Sequence, residues 1–384
     1  MDFRFSEEQE QFRDTVRRFA RHDIAPLYRE GDTSKAFPRR QLAGMAALGL
    51  TGLRIPEQFG GSLQPCLTSG IAAEEIARAD FNCGYFVEQN AFMGDLLHRF
   101  GSRELQERYL PGMANGTEVM GIALTEPSVG SDAAALSARA VRDGDTYILN
   151  GEKTSVTYAG EMDNCIVFAK TDADAGARGV SAFVVRSEWQ GVSRTVLSSI
   201  GSKSLARGAI VMDHVRVPRG HLIGEEGQGF RAIMSGFDYA RAIIALMCLG
   251  TAAQSLDETM QYVKQREAFG RPIAKFEGVQ FPIAEAHTMI EAARLLSYRC
   301  LWLKDEGLPH TKEAAMCKWW APKLAVEVIH QCLLLHGHYG YVDEMPFDQR
   351  MRDVMGLEIG DGSAQIQKII VARELLGREY LPYR

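Results

Sequence analysis

Hydrophobic and polar positions follow two different periods along this chain of 384 residues, and the period changes twice. Up to about residue 120 the apolar residues recur at helical spacing, and residues 6–9 resemble a capping box before the first helix. Residues 121–228 are short β-branched runs separated by turn residues, which predicts a compact β domain. From residue 229 the helical period returns. We therefore predict an α+β protein with segregated domains at 1–120, 121–228 and 229–384, not alternating βαβ units.

The individual runs make this prediction more specific. Five stretches read as strands of the β domain: TYILNGEKTSVTYA, NCIVFAKT, GVSAFVVRS, GVSRTVLS and GAIVMDHVRVP. A further strand is expected at the beginning of IALTEPSVGSD, residues 122–132. The helical stretch that begins near residue 229 is too long for an ordinary packing helix unless it belongs to a bundle. A helical bundle is therefore expected at the C-terminal end.

Composition excludes several classes of protein. The net charge is −6 with no basic block, which argues against a nucleic-acid partner. The apolar runs fall short of the roughly 18 residues that span a bilayer, and the first residues are charged and amphipathic, so we expect a cytoplasmic protein without a membrane partner. Seven scattered cysteines lack a C-x-x-C pair, which indicates neither a disulfide framework nor a zinc site. His336 and His338 lie at a glycine-broken helix end, and no metal is expected there.

One carboxylate has an unusual setting in the stretch GLEIGDGSAQIQKIIVARELLG. Asp361 lies between Gly360 and Gly362, directly before a helix that Ser363 can cap. Isoleucines recur at helical spacing in that helix, which predicts one buried face. Asp and Gly are ordinary turn residues, so the residues alone leave two readings open: a turn whose Asp helps to cap the helix, or a functional acid.

Other stretches are compatible with ligand binding. Residues 122–132 run from a strand into a Gly-Ser-Asp turn, whose N–H groups and hydroxyl would suit an anionic or ring-edge ligand, or simply decorate a β-turn. Arg241 and Arg266 lie in helices beside aromatic residues, where ordinary ion pairing is the usual role. The chain has no G-x-S-x-G and no P-loop, and GEEGQGF lacks the G-x-G-x-x-G spacing of a Rossmann site.

Taken together, the motifs resemble those of the acyl-CoA dehydrogenase family along essentially the whole chain. They are LTEPSVGSD, YILNGEKTSVT, LIGEEGQGF followed by SGFDYAR, QREAFGRPIAKFEGVQF and GDGSAQIQKIIVARELLG, in the family's order. The resemblance implies an N-terminal helical domain, a central β domain and a C-terminal four-helix bundle. It also implies bound FAD, an acyl-CoA substrate, an electron-transferring flavoprotein as electron acceptor and a homotetramer.

The resemblance also implies roles for individual residues. Asp361 takes the place of the family's catalytic glutamate, and Ser155 takes the place of a tryptophan near the flavin. The implied FAD contacts, the last four of them reaching a neighbouring subunit's FAD, are Leu124, Thr125, Gly130, Ser131, Ser155, Thr157, Arg266, Phe269, Ser363 and Gln365. The implied substrate contacts are Ser131, Asp238, Arg241 and Gly362. Leu334 and His338 depart from the family's FAD-binding pattern.

The implied reaction is α,β-dehydrogenation of an acyl-CoA. Asp361 would remove the α-proton while the β-hydrogen leaves as hydride to the flavin. Aspartate is one methylene shorter than glutamate, which moves the carboxylate back by roughly 1.5 Å. Gly360 and Ser155 both lack bulk that the family usually has near the acyl group. We therefore expect a cyclic or α-branched acyl group, such as that of cyclohexane-1-carboxyl-CoA.

Three alternatives stay open at this level. A nitroalkane-oxidase-like flavoenzyme also uses an aspartate base, although Asp238, Arg241 and Gly362 argue against it. An enoyl-CoA reductase would run the same chemistry in reverse. A non-catalytic subunit that binds flavin or thioester is the third reading. Some relatives carry the base on the helix, where this chain has Ala240, so Asp361 is the matched candidate.

Overall fold

Helices form the first part of the protein in the computed structural model, which describes residues 4–381. The predicted capping box is confirmed: the Ser6 hydroxyl accepts from the Gln9 N–H at 3.2 Å, and Gln9 Oε1 accepts from the Ser6 N–H at 3.0 Å. The helices of this part are α1 (Glu7–Phe19), α2 (Tyr28–Ser34), α3 (Arg39–Ala47), α4 (Cys66–Ala79), α5 (Phe81–Phe100) and α6 (Arg103–Ala114).

A single mixed sheet follows. Its strands are β1 (Met120–Ala123), β2 (Arg139–Asp143), β3 (Thr146–Val156), β4 (Asn164–Lys170), β5 (Val180–Arg186), β6 (Val192–Val196), β7 (Gly208–Pro218) and β8 (Leu222–Ile223). Their spatial order is β6-β7-β3-β2-β4-β5-β8, and β1 pairs in parallel with β4. All the strands predicted from the sequence are present. The pattern missed β2, because Ala140 is its one buried residue and the others are exposed.

The C-terminal part is a helical bundle built around α7 (Gly229–Gln265), a continuous helix of 37 residues. A short hairpin, β9 (Glu267–Ala268) and β10 (Arg271–Pro272), connects it to the later helices. Those helices are α8 (Glu277–Asp305), α9 (Thr311–His336), α10 (Phe347–Met355) and α11 (Ala364–Leu376). Within residues 4–381, α7 alone has the length and apolar composition to cross a membrane, which the apolar runs in the sequence did not indicate. Its most apolar stretch is 78% buried inside the protein, as in a core helix.

The expectation that α11 buries one face is wrong for the single chain. Ile366, Ile369 and Ile370 are only partly buried, and Gln367 is the one buried residue of this helix. The apolar stripe of α11 therefore lacks a full set of neighbours among the described residues. The predicted domain ranges extend beyond these residues, because 1–3 and 382–384 lie outside the described part of the chain.

A buried carboxylate ties the helical parts to the β domain. Asp353 on α10 accepts hydrogen bonds from the Tyr28 hydroxyl at 2.8 Å, the Asn82 amide at 3.1 Å and the Ser202 backbone N–H at 2.6 Å. Burial raises the pKa of Asp353 to about 6, although these hydrogen bonds oppose the shift. This junction fixes α10, and α10 leads directly into the loop that carries Asp361.

Candidate active site

Asp361 occupies a left-handed backbone conformation between α10 and α11. Its φ is 56°, and Gly362 follows with a φ of 92°. Ser363, and not Asp361, caps α11, because the Ser363 hydroxyl accepts from the Ile366 N–H at 3.4 Å. The Asp361 carboxylate makes no hydrogen bond or ion pair with any residue in the described range. The capping reading is therefore excluded, and the carboxylate is left for another partner.

A buried lysine holds this loop in place. Lys318 on α9 donates to the carbonyl oxygens of Leu357 at 2.5 Å and Gly362 at 3.3 Å. Gln367 Nε2 also donates to the Gly362 carbonyl at 3.3 Å. Burial lowers the pKa of Lys318 to about 8, and the nearby Asp361 partly offsets that shift. Sequence reasoning missed Lys318, although a lone lysine in the apolar run AAMCKWW was a signal.

A second carboxyl group lies close to Asp361. Burial, followed by repulsion from Asp361, raises the pKa of Glu88 on α5 to about 8. Its one hydrogen bond within residues 4–381 comes from the Gln89 amide at 2.6 Å. Tyr85 lies one turn earlier on α5 and accepts a hydrogen bond from Arg207 Nη2 at 3.4 Å. Glu88, Tyr85 and Arg207 each interact electrostatically with Asp361, so all of them belong to one site that the sequence did not assemble.

Arg241 lies close to Gly362 of the same loop. Its Nη1 pairs with Asp238 Oδ1 at 3.0 Å, while Asp238 Oδ2 accepts from the Thr311 hydroxyl. A Cβ on Gly362 would lie 3.8 Å from Arg241 Nη2 and 2.3 Å from Gln367 Nε2. Burial lowers the pKa of Arg241 from its usual value. The pair therefore lies beside Gly362, and its contact with CoA stays a prediction.

The motif at 122–132 is held to the sheet by a buried ion pair. Lys153 Nζ lies 2.7 Å from Glu126 Oε1 and donates to the Leu124 carbonyl at 3.1 Å. Glu126 also accepts from the backbone and hydroxyl of Ser137, and Thr154 N–H donates to the Thr125 carbonyl at 2.9 Å. Burial alone would raise the pKa of Glu126, but these hydrogen bonds lower it to about 2.

The anchored loop presents groups that suit a flavin. The hydroxyls of Thr125, Ser131 and Thr157 have no hydrogen-bond partner in the described part of the chain. Gly130 is exposed, and a Cβ built there would meet no atom within 4 Å. Ser155 is exposed with a φ of 57°, at the irregular end of β3. Free hydroxyl donors around an open backbone are compatible with FAD, and the assignments of Leu124 and the other loop residues stay predictions.

Two of the four residues expected to serve a neighbouring subunit lie away from the Asp361 site. Arg266 directly follows α7 as its C-cap, and Phe269 at the hairpin tip is 95% exposed. At the rise of an α-helix, Arg266 lies about 37 Å from Arg241 along the α7 axis. Leu334 and His338 lie exposed near the end of α9, while Ser363 and Gln365 adjoin Asp361. One chain therefore does not bring Arg266 and Phe269 to the Asp361 site.

The histidines near the end of α9 differ in their surroundings. His336 is buried, stacks on Tyr262 with ring centroids 4.1 Å apart, and hydrogen-bonds the Cys332 carbonyl through Nδ1 at 2.8 Å. Burial lowers the pKa of His336. Across residues 4–381 no group of three or more His, Cys, Asp or Glu side chains could hold a metal ion.

Comparison with known proteins gives matches along nearly the full length. Profiles of the acyl-CoA dehydrogenase N-terminal, middle and C-terminal domains match residues 6–117, 121–215 and 227–376. The 3-(aryl)acrylate reductase of Clostridium sporogenes is 36% identical, over 97% of this chain and 99% of that protein. The caffeyl-CoA reductase–Etf complex subunit CarC of Acetobacterium woodii is also 36% identical, over 97% and 99%. The butyryl-CoA dehydrogenase structure from Megasphaera elsdenii has a TM-score of 0.94 and 32% identity, covering 98% of this chain and 100% of that one.

Proposed function

The chain belongs to the acyl-CoA dehydrogenase family of FAD-dependent oxidoreductases, and on that basis we propose that Asp361 removes the α-proton of an acyl-CoA thioester. The observation that carries this proposal is the state of Asp361 itself. Its carboxylate is accessible, lacks a partner among the described residues and sits in a left-handed conformation that Lys318 anchors. Unfavourable backbone conformations of this kind are concentrated at functional sites.

The neighbouring charges support proton abstraction. Removing the α-proton creates an enolate, whose negative charge needs stabilisation as it forms. Arg241 and Lys318 each interact electrostatically with Asp361 and supply positive charge beside it. The backbone N–H of Asp361 has no acceptor within residues 4–381, so it is free to donate to the thioester oxygen. The chemistry supplied by bound FAD is acceptance of the β-hydrogen as a hydride.

The acyl group in this proposal is cyclic or α-branched. The short aspartate places the base further from a straight chain, and a misplacement of about 1 Å can cost 100-fold in rate. A Cβ on Gly360 would meet no atom closer than 3.5 Å, so the chain's own packing does not require glycine there. We attribute the missing bulk at Gly360 to the room that a wide acyl group needs beside the base.

Anaerobic bleaching of the flavin tests the function and the substrate class together. Cyclohexane-1-carboxyl-CoA and 2-methylbutyryl-CoA should bleach it with higher kcat/KM than butyryl-CoA. A clear preference for butyryl-CoA would contradict the substrate class, while nitroethane as the better substrate would favour the nitroalkane-oxidase reading.

Replacement of the base tests its role directly. Asp361→Ala should keep FAD and lose at least about 100-fold in rate. Asp145→Ala, an exposed change on a β-turn, should match wild type.

A second candidate function is reduction of an enoyl-CoA through the same site. Two of the relatives described above carry the name of a reductase. The relative from Acetobacterium woodii is named as part of a complex with Etf, which supports an electron-transferring flavoprotein as the redox partner of this chain. The direction is tested by mixing chemically reduced enzyme with an enoyl-CoA. Flavin reoxidation faster than bleaching by the matching acyl-CoA would favour the reductase.

We also propose that the protein is a homotetramer. Arg266 and Phe269 lie far from the Asp361 site of their own chain, as described above, and would reach FAD in a neighbouring subunit. The partly covered face of α11 supports the same conclusion. Sedimentation of the purified holoenzyme measures the mass directly.

A further inference from the structure

Arg207 is an enclosed guanidinium that lacks a carboxylate partner. Other arginines shielded from solvent have one: Arg54 pairs with Asp95, and Arg350 pairs with Glu258. Arg207 makes no ion pair within residues 4–381, and its Nε is buried without any hydrogen-bond partner. The one hydrogen bond of its guanidinium in that range, to the Tyr85 hydroxyl, is long at 3.4 Å. A buried cation normally has an anionic partner, so an anion is missing at this position.

A second buried donor near Arg207 also lacks an acceptor. The Tyr158 hydroxyl is buried without a partner, and its ring is fixed by Phe86 at 5.4 Å and Phe37 at 5.6 Å between centroids. Tyr158 and Arg207 interact electrostatically with each other. Buried donors are nearly always satisfied in folded proteins. Two unsatisfied donors near each other point to acceptor oxygens that a ligand brings.

Asp361 does not fill this role. Its carboxylate lies within electrostatic range of Arg207 but makes neither an ion pair nor a hydrogen bond with it. Glu88 is mostly protonated at neutral pH, since burial raises its pKa to about 8. The cations near the base are Arg207, Lys318 and Arg241, and Asp238 already pairs with Arg241.

We propose that Arg207 binds a carboxylate on the acyl part of the substrate, with the Tyr158 hydroxyl as a second donor and the Tyr85 hydroxyl beside the guanidinium, so that the preferred thioester is the mono-CoA ester of a dicarboxylic acid. The planar guanidinium presents its N–H donors in a fork that matches a carboxylate. The Tyr85 ring lies 5.9 Å from the Arg207 guanidinium carbon and helps to orient it. This inference rests on the proposed dehydrogenation of an acyl-CoA, and it narrows the class of acyl group.

The test compares charged and uncharged thioesters of one shape. The mono-CoA thioester of a cyclohexane dicarboxylic acid is measured beside its methyl ester and beside cyclohexane-1-carboxyl-CoA, through anaerobic flavin bleaching and kcat/KM. We expect wild type to favour the free carboxylate. Arg207→Gln should lower kcat/KM for the carboxylate by about 10- to 100-fold and change the two uncharged thioesters by less than about 3-fold. Arg216→Gln, on exposed β7 where Arg216 pairs with Asp143, is the control and should change none of them.

Each other outcome has a defined meaning. Equal losses on all three thioesters in Arg207→Gln would overturn the inference, because Arg207 would then act on the base or the enolate. Preference of wild type for the uncharged thioesters would overturn it while leaving dehydrogenation intact. Failure of every acyl-CoA to bleach the flavin would overturn the proposed function as well. If Arg207→Gln does not fold, Tyr85→Phe removes a single oxygen and should still weaken only the carboxylate, by about 3- to 10-fold.

Discussion

At the scale of single residues, the two glycines that flank Asp361 do different work. Gly362 has a φ of 92°, and a Cβ there would lie 2.3 Å from Gln367 Nε2. Gly360 has an ordinary φ, and its nearest contact for a Cβ would be 3.5 Å away. Gly360 is therefore dispensable for the fold, while the backbone at Gly362 requires glycine. The two positions differ in their φ angles, which the sequence alone does not reveal.

Alanine substitutions separate these two roles. Gly362→Ala should destabilise the loop by about 1–3 kcal/mol, because a left-handed residue with a Cβ is strained and the Gln367 amide must move. Gly360→Ala should leave the melting temperature nearly unchanged and lower kcat/KM for cyclic thioesters more than for butyryl-CoA. Thermal melts and substrate panels on both variants check this. Equal rates for all substrates in Gly360→Ala would argue that Gly360 does not border the acyl group.

Glu88 predicts a decline of activity at alkaline pH. Its folded pKa, raised to about 8 by burial, lies above the roughly 4.3 of a free glutamate. Above pH 8 the ionised Glu88 adds a negative charge beside Asp361 and opposes enolate formation. We expect kcat/KM of wild type to fall through pH 8 and that of Glu88→Gln to stay level.

The raised pKa of Glu88 also affects stability. The free energy of unfolding of wild type falls as the pH rises from about 4 to 8, because burial disfavours the ionised carboxylate. Glu88→Gln should therefore have a higher melting temperature than wild type at pH 9 but not at pH 4.

A second group titrates in the pH range in which kcat/KM is expected to decline. Lys318, whose pKa burial lowers to about 8, loses its charge there. An alkaline decline that persists unchanged in Glu88→Gln would assign the limb to Lys318. The two groups are separable because only Lys318 contacts the loop backbone directly.

At the scale of helices and strands, the sequence pattern predicted the elements whose side chains are buried. The strands β4 and β5 were predictable because each carries β-branched residues that the sheet buries. The strand β2 was not, because it forms by pairing with β3 while leaving nearly all its side chains in solvent. Motif likeness located Asp361 and the 122–132 loop. It did not reveal Lys318, Glu126 or Lys153, because each acts through contacts between elements distant in sequence.

Lys318 joins α9 to the loop that carries Asp361, so its replacement tests whether contacts between elements position the base. Lys318→Met should fit the buried stem but leave the Leu357 and Gly362 carbonyls without their donor. We expect at least a 10-fold loss in kcat/KM with FAD content retained, since small displacements of a base are costly. Lys323→Met, on the same helix with an exposed ion pair to Glu327, is the matched control and should keep full activity. Loss of FAD together with activity in Lys318→Met would point to a wider structural role.

At the scale of the whole molecule, large apolar side chains remain exposed on the C-terminal helices and their connections. They include Phe269, Phe281, Tyr341, Ile359, Leu375 and Leu376. Scattered exposure of single apolar residues is ordinary, but these large side chains and the partly covered isoleucines of α11 all belong to the C-terminal part of the chain. Large exposed apolar side chains of this kind are suited to burial between identical chains, as in the proposed homotetramer. The sequence alone could not identify these exposed residues, because a helical period shows that one face is apolar but not whether that face packs within its own chain.

Phe269 predicts how assembly and cofactor binding are coupled. It stands at the hairpin tip with a φ of 50°, is 95% exposed and meets the Phe276 ring edge-on, so its ring adds little to the fold of its own chain. Phe269→Ser should therefore leave the melting temperature of the apoprotein nearly unchanged. It should lower FAD retention during gel filtration and shift the sedimenting species toward smaller mass, because in the proposed homotetramer the ring would contact the FAD of a neighbouring subunit. Val141→Ser, which removes an exposed apolar side chain from β2, should alter neither property. A Phe269→Ser protein that keeps both its full FAD content and its assembled mass would show that each subunit holds FAD without the hairpin of its neighbour.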